Sequence, residues 1–247
     1  MNFISDNNTK NNITPSWGLL GKSYRLAIKS YEQILILFLL PELVNILGGI
    51  YLGPINSRKF NINHLTDKQY VGIVLIVVWL ILSLFNFVPA VYFRLNAVRN
   101  TKLPSLKQCY SQGMKQMWRI LLVQFFAYLI IVIGLIAFII PGVLFFRRYI
   151  LSDYFAMDNP KLRLSQVLKK SSAETRPYAY SIFGAYGVVL SVTLLADLVL
   201  GGFVIGLVMA VLISYSTLFV PVLRYQEITA PISVSKQRAA NKRQPKL

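Results

Sequence analysis

Five ionisable residues sit inside or beside otherwise apolar stretches of this chain: Glu42, Arg147, Arg148, Asp153 and Asp197. Asn45, Asn86 and Gln124 add uncharged polar groups to the same stretches. A charge at the centre of a helix inserted in hydrocarbon costs about 2.5–3.5 kcal/mol, so such residues pair with one another or serve a site. The guanidinium fork matches the oxygens of a phosphate or carboxylate bidentately, which fits Arg147 and Arg148 to an anionic lipid or solute. Asp197 and Glu42 are the carboxylates expected to face them. Asp153 follows Arg148 by five residues, about 140° round a helix, and a bridge between those two is not expected. Three roles stay open for Glu42, Arg147, Arg148 and Asp197: ion pairing that holds a bundle together, recognition of an anionic group, and coupling to a proton or ion.

No other residues are arranged for catalysis. The one histidine, His64, lies in a polar loop among Asn61, Asn63 and Asp67. The one cysteine, Cys109, allows neither an intrachain disulfide nor a cysteine metal cluster. There is no phosphate-cradling glycine loop and no nucleophile elbow. A non-enzymatic protein without metal or cofactor is therefore expected.

The stretches that carry these charges are membrane spans by composition. Hydrophobic residues make up 55% of the chain and charged residues 14%, against about 25% charged in a soluble globule. From residue 177 to 223 the only charge is Asp197, and Gly201-Gly202 divides that run. About 20 apolar residues are enough to cross the hydrocarbon, so the run predicts a transmembrane hairpin. Crossings are expected at about 34–53, 70–93, 120–140, 143–157, 178–200 and 203–223. The fourth is unusual, because Arg147 and Arg148 lie in its middle and fifteen residues reach only ~22 Å. Loop charge argues for it. With six crossings, 21 of the 26 Lys and Arg fall on one side and 3 on the other, and positive charge is retained on the cytoplasmic side. The expected setting is a bacterial plasma membrane with both termini cytoplasmic. The net charge of +17 follows from the same bias, so nucleic acid is not expected as a partner.

A basic amphipathic stretch precedes each hairpin. Trp17, Leu20, Tyr24, Ile28 and Tyr31 recur at helical spacing in the first, Leu106, Tyr110, Met114 and Met117 in the second, and Leu164, Val167, Leu168 and Ser171 in the third. Such helices lie in the headgroup plane with the basic side towards anionic lipid. Trp118, Tyr178 and Tyr225 are expected at the interface. The fold class is thus all-α: a polytopic helical bundle of three hairpins, each with a basic interfacial helix before it. Residues 1–15 read as a disordered tail, 16–223 as a single membrane domain, and 224–247 as a basic cytoplasmic tail. No signal-peptide core precedes the first span, which is expected to act as its own insertion signal. Gly202, Gly206, Ala210 and Ser214 recur every four residues and form a ridge for close helix packing, within the chain, between copies of a homo-oligomer or with a protein partner.

One segment also carries a resemblance. Ile140-Pro141-Gly142-Val143, then Arg148-Tyr149, then Asp158-Asn159-Pro160 and the basic helix through Lys169-Lys170-Ser171 resemble the YciC-like group of uncharacterised bacterial polytopic proteins and the related glycerophosphodiester phosphodiesterase membrane-domain family. The resemblance covers residues 119–200, and its motif positions here are Pro141, Gly142, Arg148, Tyr149, Asp158 and Pro160. This chain departs from the pattern in having Arg147 beside the Arg-Tyr pair. The resemblance implies a six-span inner-membrane protein of unestablished activity. Some relatives join such a membrane domain to a catalytic phosphodiesterase; every long segment here already reads as membrane, so that activity is not expected. The expected function is a membrane scaffold or envelope-maintenance component in contact with anionic lipid headgroups and protein partners. The alternative is a transporter or lipid-handling protein with Arg147, Arg148, Glu42 and Asp197 lining its path.

Overall fold

A computed structural model of the chain describes residues 14–52, 66–99, 102–200 and 217–229, with the side chains of residues 193 and 196–200 outside the description. Every regular element among the described residues is helical. In chain order they are α1 (Ser16–Lys29), α2 (Tyr31–Leu52), α3 (Asp67–Arg99), α4 (Leu106–Lys115), α5 (Met117–Ala137), α6 (Ile139–Tyr149), α7 (Ser152–Asp158), α8 (Leu164–Thr175), α9 (Ala179–Leu200) and α10 (220–229). Among the described residues, α2, α3 and α5 are long and apolar enough to cross a membrane.

Local chemistry sets the helix starts. Thr66 and Gln69 form a reciprocal cap at the head of α3, and Ser105 and Gln108 repeat the device at α4. Proline shapes α2. Leu35–Leu39 form a π turn in which the Leu40 amide reaches back to the Leu35 carbonyl. The widened turn makes room for the ring of Pro41, which clashes with the carbonyl four residues earlier in a regular helix.

α2 and α3 run together as a hairpin closed by glycine. A Cβ on Gly72 would lie 2.6 Å from the Leu52 nitrogen and 3.0 Å from the Gly48 carbonyl oxygen, so the backbones touch there. α5 and α6 form a second hairpin. It turns at Phe138, which is extended (φ −161°, ψ 144°), and not at Pro141-Gly142 as the sequence suggests. Pro141 falls at the third position of α6, where an amide has no partner within the helix in any case. Gly142 then packs on Leu135 and Gly134, where a Cβ would come within 2.6 Å of the Leu135 nitrogen.

The core lies at one end of these hairpins. Phe93 and Leu95 of α3, Ile120 and Val123 of α5, Leu151 to Met157, Val167 of α8, Ile182 of α9 and Val222, Leu223, Tyr225 and Ile228 of α10 are buried together. Phe93 meets Phe219 edge to face at 5.8 Å, and Phe155 meets Tyr225 at 4.8 Å. Away from this end the hairpins turn apolar side chains outwards, up to Ile136 at 81% exposure. That is the surface a helix presents to lipid.

Several expectations change here. The segment 143–157 is not one helix: α6 ends at Tyr149 and α7 begins at Ser152. The break frees the Arg148 carbonyl, which accepts from the Ser171 hydroxyl at 2.6 Å. Residues 151–157 are buried in protein, not turned to lipid. The three amphipathic stretches also differ from one another. α1 exposes Trp17, Tyr24 and Ile28, whereas Val167, Leu168 and Ser171 of α8 pack inwards on the core. Tyr225 is a core residue rather than an interfacial one, and residues 224–229, expected within the tail, are helical. The first apolar helix spans Tyr31–Leu52, and the second runs to Arg99, six residues past the end expected for that crossing. Residues 1–13 of the expected tail, Gly202, Gly206, Ala210 and Ser214, and most of the sixth expected crossing lie outside the described residues.

Candidate functional site

The sequence-selected charges do not form one cluster among the described residues. Arg147 and Arg148 lie at the end of α6, half-buried, in a helix that packs chiefly against α5, α8 and α9. Their Nε atoms are buried and have no hydrogen-bond acceptor, and neither residue has an ion-pair partner among the described residues. Arg147 instead feels the positive charges of Arg148 and Arg176. Asp197 lies in α9 with its side chain outside the description, so the pairing expected with Arg147 or Arg148 lies outside it too. Asp153 is buried at the head of α7 and accepts from the Tyr154 amide at 2.9 Å, where a helix start favours negative charge.

The carboxylate at the other end of α7 has a different surrounding. Arg99 donates to both oxygens of Asp158, at 2.5 and 2.6 Å, and the Tyr225 hydroxyl donates to the same carboxylate. The Arg99 guanidinium also lies over the Tyr225 ring at 5.9 Å. Burial, and then the charge of Asp158, push the Tyr225 hydroxyl far above its ordinary range, so it stays protonated as a donor. Close by, Arg119 donates to the carbonyls of Ala156 (2.5 Å), Asn159 (2.7 Å) and Leu162 (2.8 Å). Lys170 donates to the Asn159 side chain at 2.8 Å. The Asp158-Asn159-Pro160 motif is thus the point where α3, α5, α7, α8 and α10 are tied. Its guanidinium donors come from Arg99 and Arg119, which the sequence had assigned only as loop charge.

A third arrangement involves Glu42. The carboxylate lines a cavity of about 230 Å³ between α2 and α3, together with Phe38 of the π turn, Asn86, Arg94 and Leu218. Arg94 is held between two rings, 5.7 Å from the centre of Phe38 and 5.8 Å from that of Tyr154, while its Nε donates to the Ala90 carbonyl at 3.3 Å. Asn86 is 7% exposed; it accepts from the Tyr110 hydroxyl at 2.5 Å and donates to the Ile36 carbonyl at 3.5 Å. Asn45 donates to Glu42 at 3.3 Å. Glu42 and Arg94 make no direct ion pair. Neither Arg147 nor Arg148 lines this cavity, and the Asp197 side chain lies outside the description, so among the described residues Glu42 and the α6 arginines stand at separate places. Sequence reasoning missed Arg94 because it stands at the edge of the second apolar run, where a basic residue reads as the start of a loop. The helical phase did contain the signal: Asn86, Ala90 and Arg94 recur every four residues and share one face.

No group of three or more His, Cys, Asp or Glu side chains is gathered to hold a metal ion among the described residues. Compared with known proteins, the chain matches no family model, no curated protein and no solved structure.

Proposed function

We propose that this chain is a non-enzymatic plasma-membrane component, a scaffold or envelope-maintenance protein that binds anionic lipid headgroups, with six crossings and both termini cytoplasmic. One observation carries the reading. The carboxylates of Asp158, Glu174 and Glu227 are each paired with a cation, whereas Arg147 and Arg148 have no carboxylate partner among the described residues. A lipid phosphate would supply the missing acceptors, and the guanidinium fork suits it. The exposed Trp17, Tyr24 and Ile28 of α1 support contact with the membrane surface. The loop-charge count supports the six crossings, and the motif around Asp158 supports kinship with the YciC-like proteins.

The test is to purify wild type and Arg148→Gln in mild detergent, compare yields, and weigh the phosphatidylglycerol and cardiolipin retained per protein. Normal yield with about tenfold less retained anionic lipid is expected, the size of one charge-assisted hydrogen bond lost. Reduced yield with an unchanged lipid ratio would assign Arg148 to holding the bundle and sink the lipid reading. The second reading is a transporter or lipid-handling protein, favoured by the cavity that Glu42 and Arg94 line.

A further inference from the structure

Two opposite charges face one cavity without touching. Glu42 enters it from α2 and Arg94 from α3, and no ion pair joins them. Each keeps binding capacity. Among the described residues Glu42 accepts only from Asn45, and no protein acceptor takes the two terminal nitrogens of Arg94. Both groups are also positioned. The Phe38 and Tyr154 rings hold the guanidinium in place, and Asn86 is fixed from two sides by Tyr110 and the Ile36 carbonyl. Asp153, buried in the core, feels the Arg94 charge but does not line the cavity. The π turn that contributes Leu37 and Phe38 is a feature enriched at functional sites. At about 230 Å³ the cavity is smaller than the ~300–1,000 Å³ of sites for drug-sized ligands, which limits it to a small polar group.

We propose that this cavity binds a zwitterionic group, with an oxyanion held by Arg94 and a primary ammonium held by Glu42. Phosphoethanolamine has that chemistry, either as the headgroup of a membrane lipid or free in solution. The ammonium donates to the carboxylate, the phosphate accepts from the guanidinium fork, and Asn86 and Ser83 lie along the wall between. A choline headgroup offers no N–H donors, and a glycerol headgroup offers no positive charge. The site is independent of the lipid contacts proposed at Arg147 and Arg148.

The experiment uses full-length protein in detergent, carrying Arg148→Gln to remove the separate anionic-lipid contact but wild type at the cavity, titrated with phosphatidylethanolamine, phosphatidylcholine, phosphatidylglycerol and free phosphoethanolamine, with binding read by native mass spectrometry and by the thermal midpoint. The wild-type cavity is expected to favour the ethanolamine lipid over the other two by about tenfold or more, the value of one charged hydrogen bond. Glu42→Gln is nearly isosteric and should lose the preference for ethanolamine over glycerol while keeping phosphate affinity. Arg94→Gln should weaken all three lipids. Equal affinity of the wild-type cavity for the three headgroups would overturn the proposal. So would undiminished discrimination by Glu42→Gln, which decides the matter even if Arg94→Gln does not fold. Binding of free phosphoethanolamine would identify a soluble zwitterion as sufficient ligand, and binding only in lipid form would identify the headgroup; both support the site.

Discussion

Asp158 ties two helices distant in sequence through one carboxylate. It joins Arg99 at the end of α3 to Tyr225 of α10, so its loss leaves a guanidinium and a hydroxyl without their acceptor. Asp158→Asn is expected to lower stability by about 2–3 kcal/mol, since hydrogen bonds to charged groups are worth about 1.5–3 kcal/mol each and the exposed edge of Arg99 is compensated by water. Tyr225→Phe should cost about 1 kcal/mol. The double variant should cost less than the sum, because the two share one carboxylate. Thermal unfolding in detergent measures all three. Cys109 makes a separate prediction about pH. The thiol is fully buried and pushed up to about 11 from its ordinary value of 9.0. Between those values the unfolded chain releases the proton and the native chain keeps it, so stability present below pH 9 falls as pH rises towards 11. The part owed to Cys109 is at most about 2–3 kcal/mol. Cys109→Ala should show a flatter loss of stability than wild type over that range. Equal slopes would place the thiol in contact with water.

At the scale of elements, close backbone contact does the positioning. Gly72 brings α3 against Gly48 and Leu52 of α2, while nothing lies within 4 Å of where a Cβ on Gly49 would sit. Gly72→Ala must push the hairpin apart and is expected to destabilise by about 1–3 kcal/mol, the usual cost of overpacking. Gly49→Ala meets open space and should stabilise by up to about 1 kcal/mol through helix propensity. If the two variants unfold alike, the α2–α3 contact is looser than described. Elements of this kind were only partly legible beforehand. The apolar runs announced α2, α3 and α5, because twenty uncharged residues have few other uses. The break at Ile150-Leu151 was not announced, since hydropathy scores a side chain facing lipid and one facing protein alike. α7 therefore read as membrane, although its neighbours are other helices. α8 was misjudged for the same reason: Val167 and Leu168 make an apolar stripe whether it meets headgroups or Ile120. The cavity escaped because its cation, Arg94, stands where apolar composition ends but α3 continues.

For the whole molecule, the question is which faces of the bundle lie on the same side of the membrane. Part of the answer is internal. Arg224 of α10 donates to the Thr14 carbonyl at 3.0 Å and to Glu227 at 2.8 Å, and the Phe219 amide donates to the Ser23 hydroxyl at 3.2 Å. The first and last described helices are thus tied together, and whatever side holds α1 holds α10. The loop between α7 and α8 belongs to the same end of the molecule through the Asp158 contact with Tyr225. Charge retention then predicts that this end is cytoplasmic. A thiol placed at Ser165, which is exposed on α8, reads the side directly, with an exposed thiol at Lys68 as the outside reference. Cys109→Ala provides the background, because a serine there would bury a hydroxyl. Intact cells treated with a membrane-impermeant maleimide should label position 68 and spare 165 until the membrane is permeabilised. Labelling of 165 in intact cells would place the whole Asp158 assembly outside. The excess of positive charge would then lie on the wrong face, and the six-crossing arrangement would have to be abandoned. Protection at both positions before permeabilisation, with labelling at both after, would put the α2–α3 connection on the same side as the core and make that hairpin re-entrant.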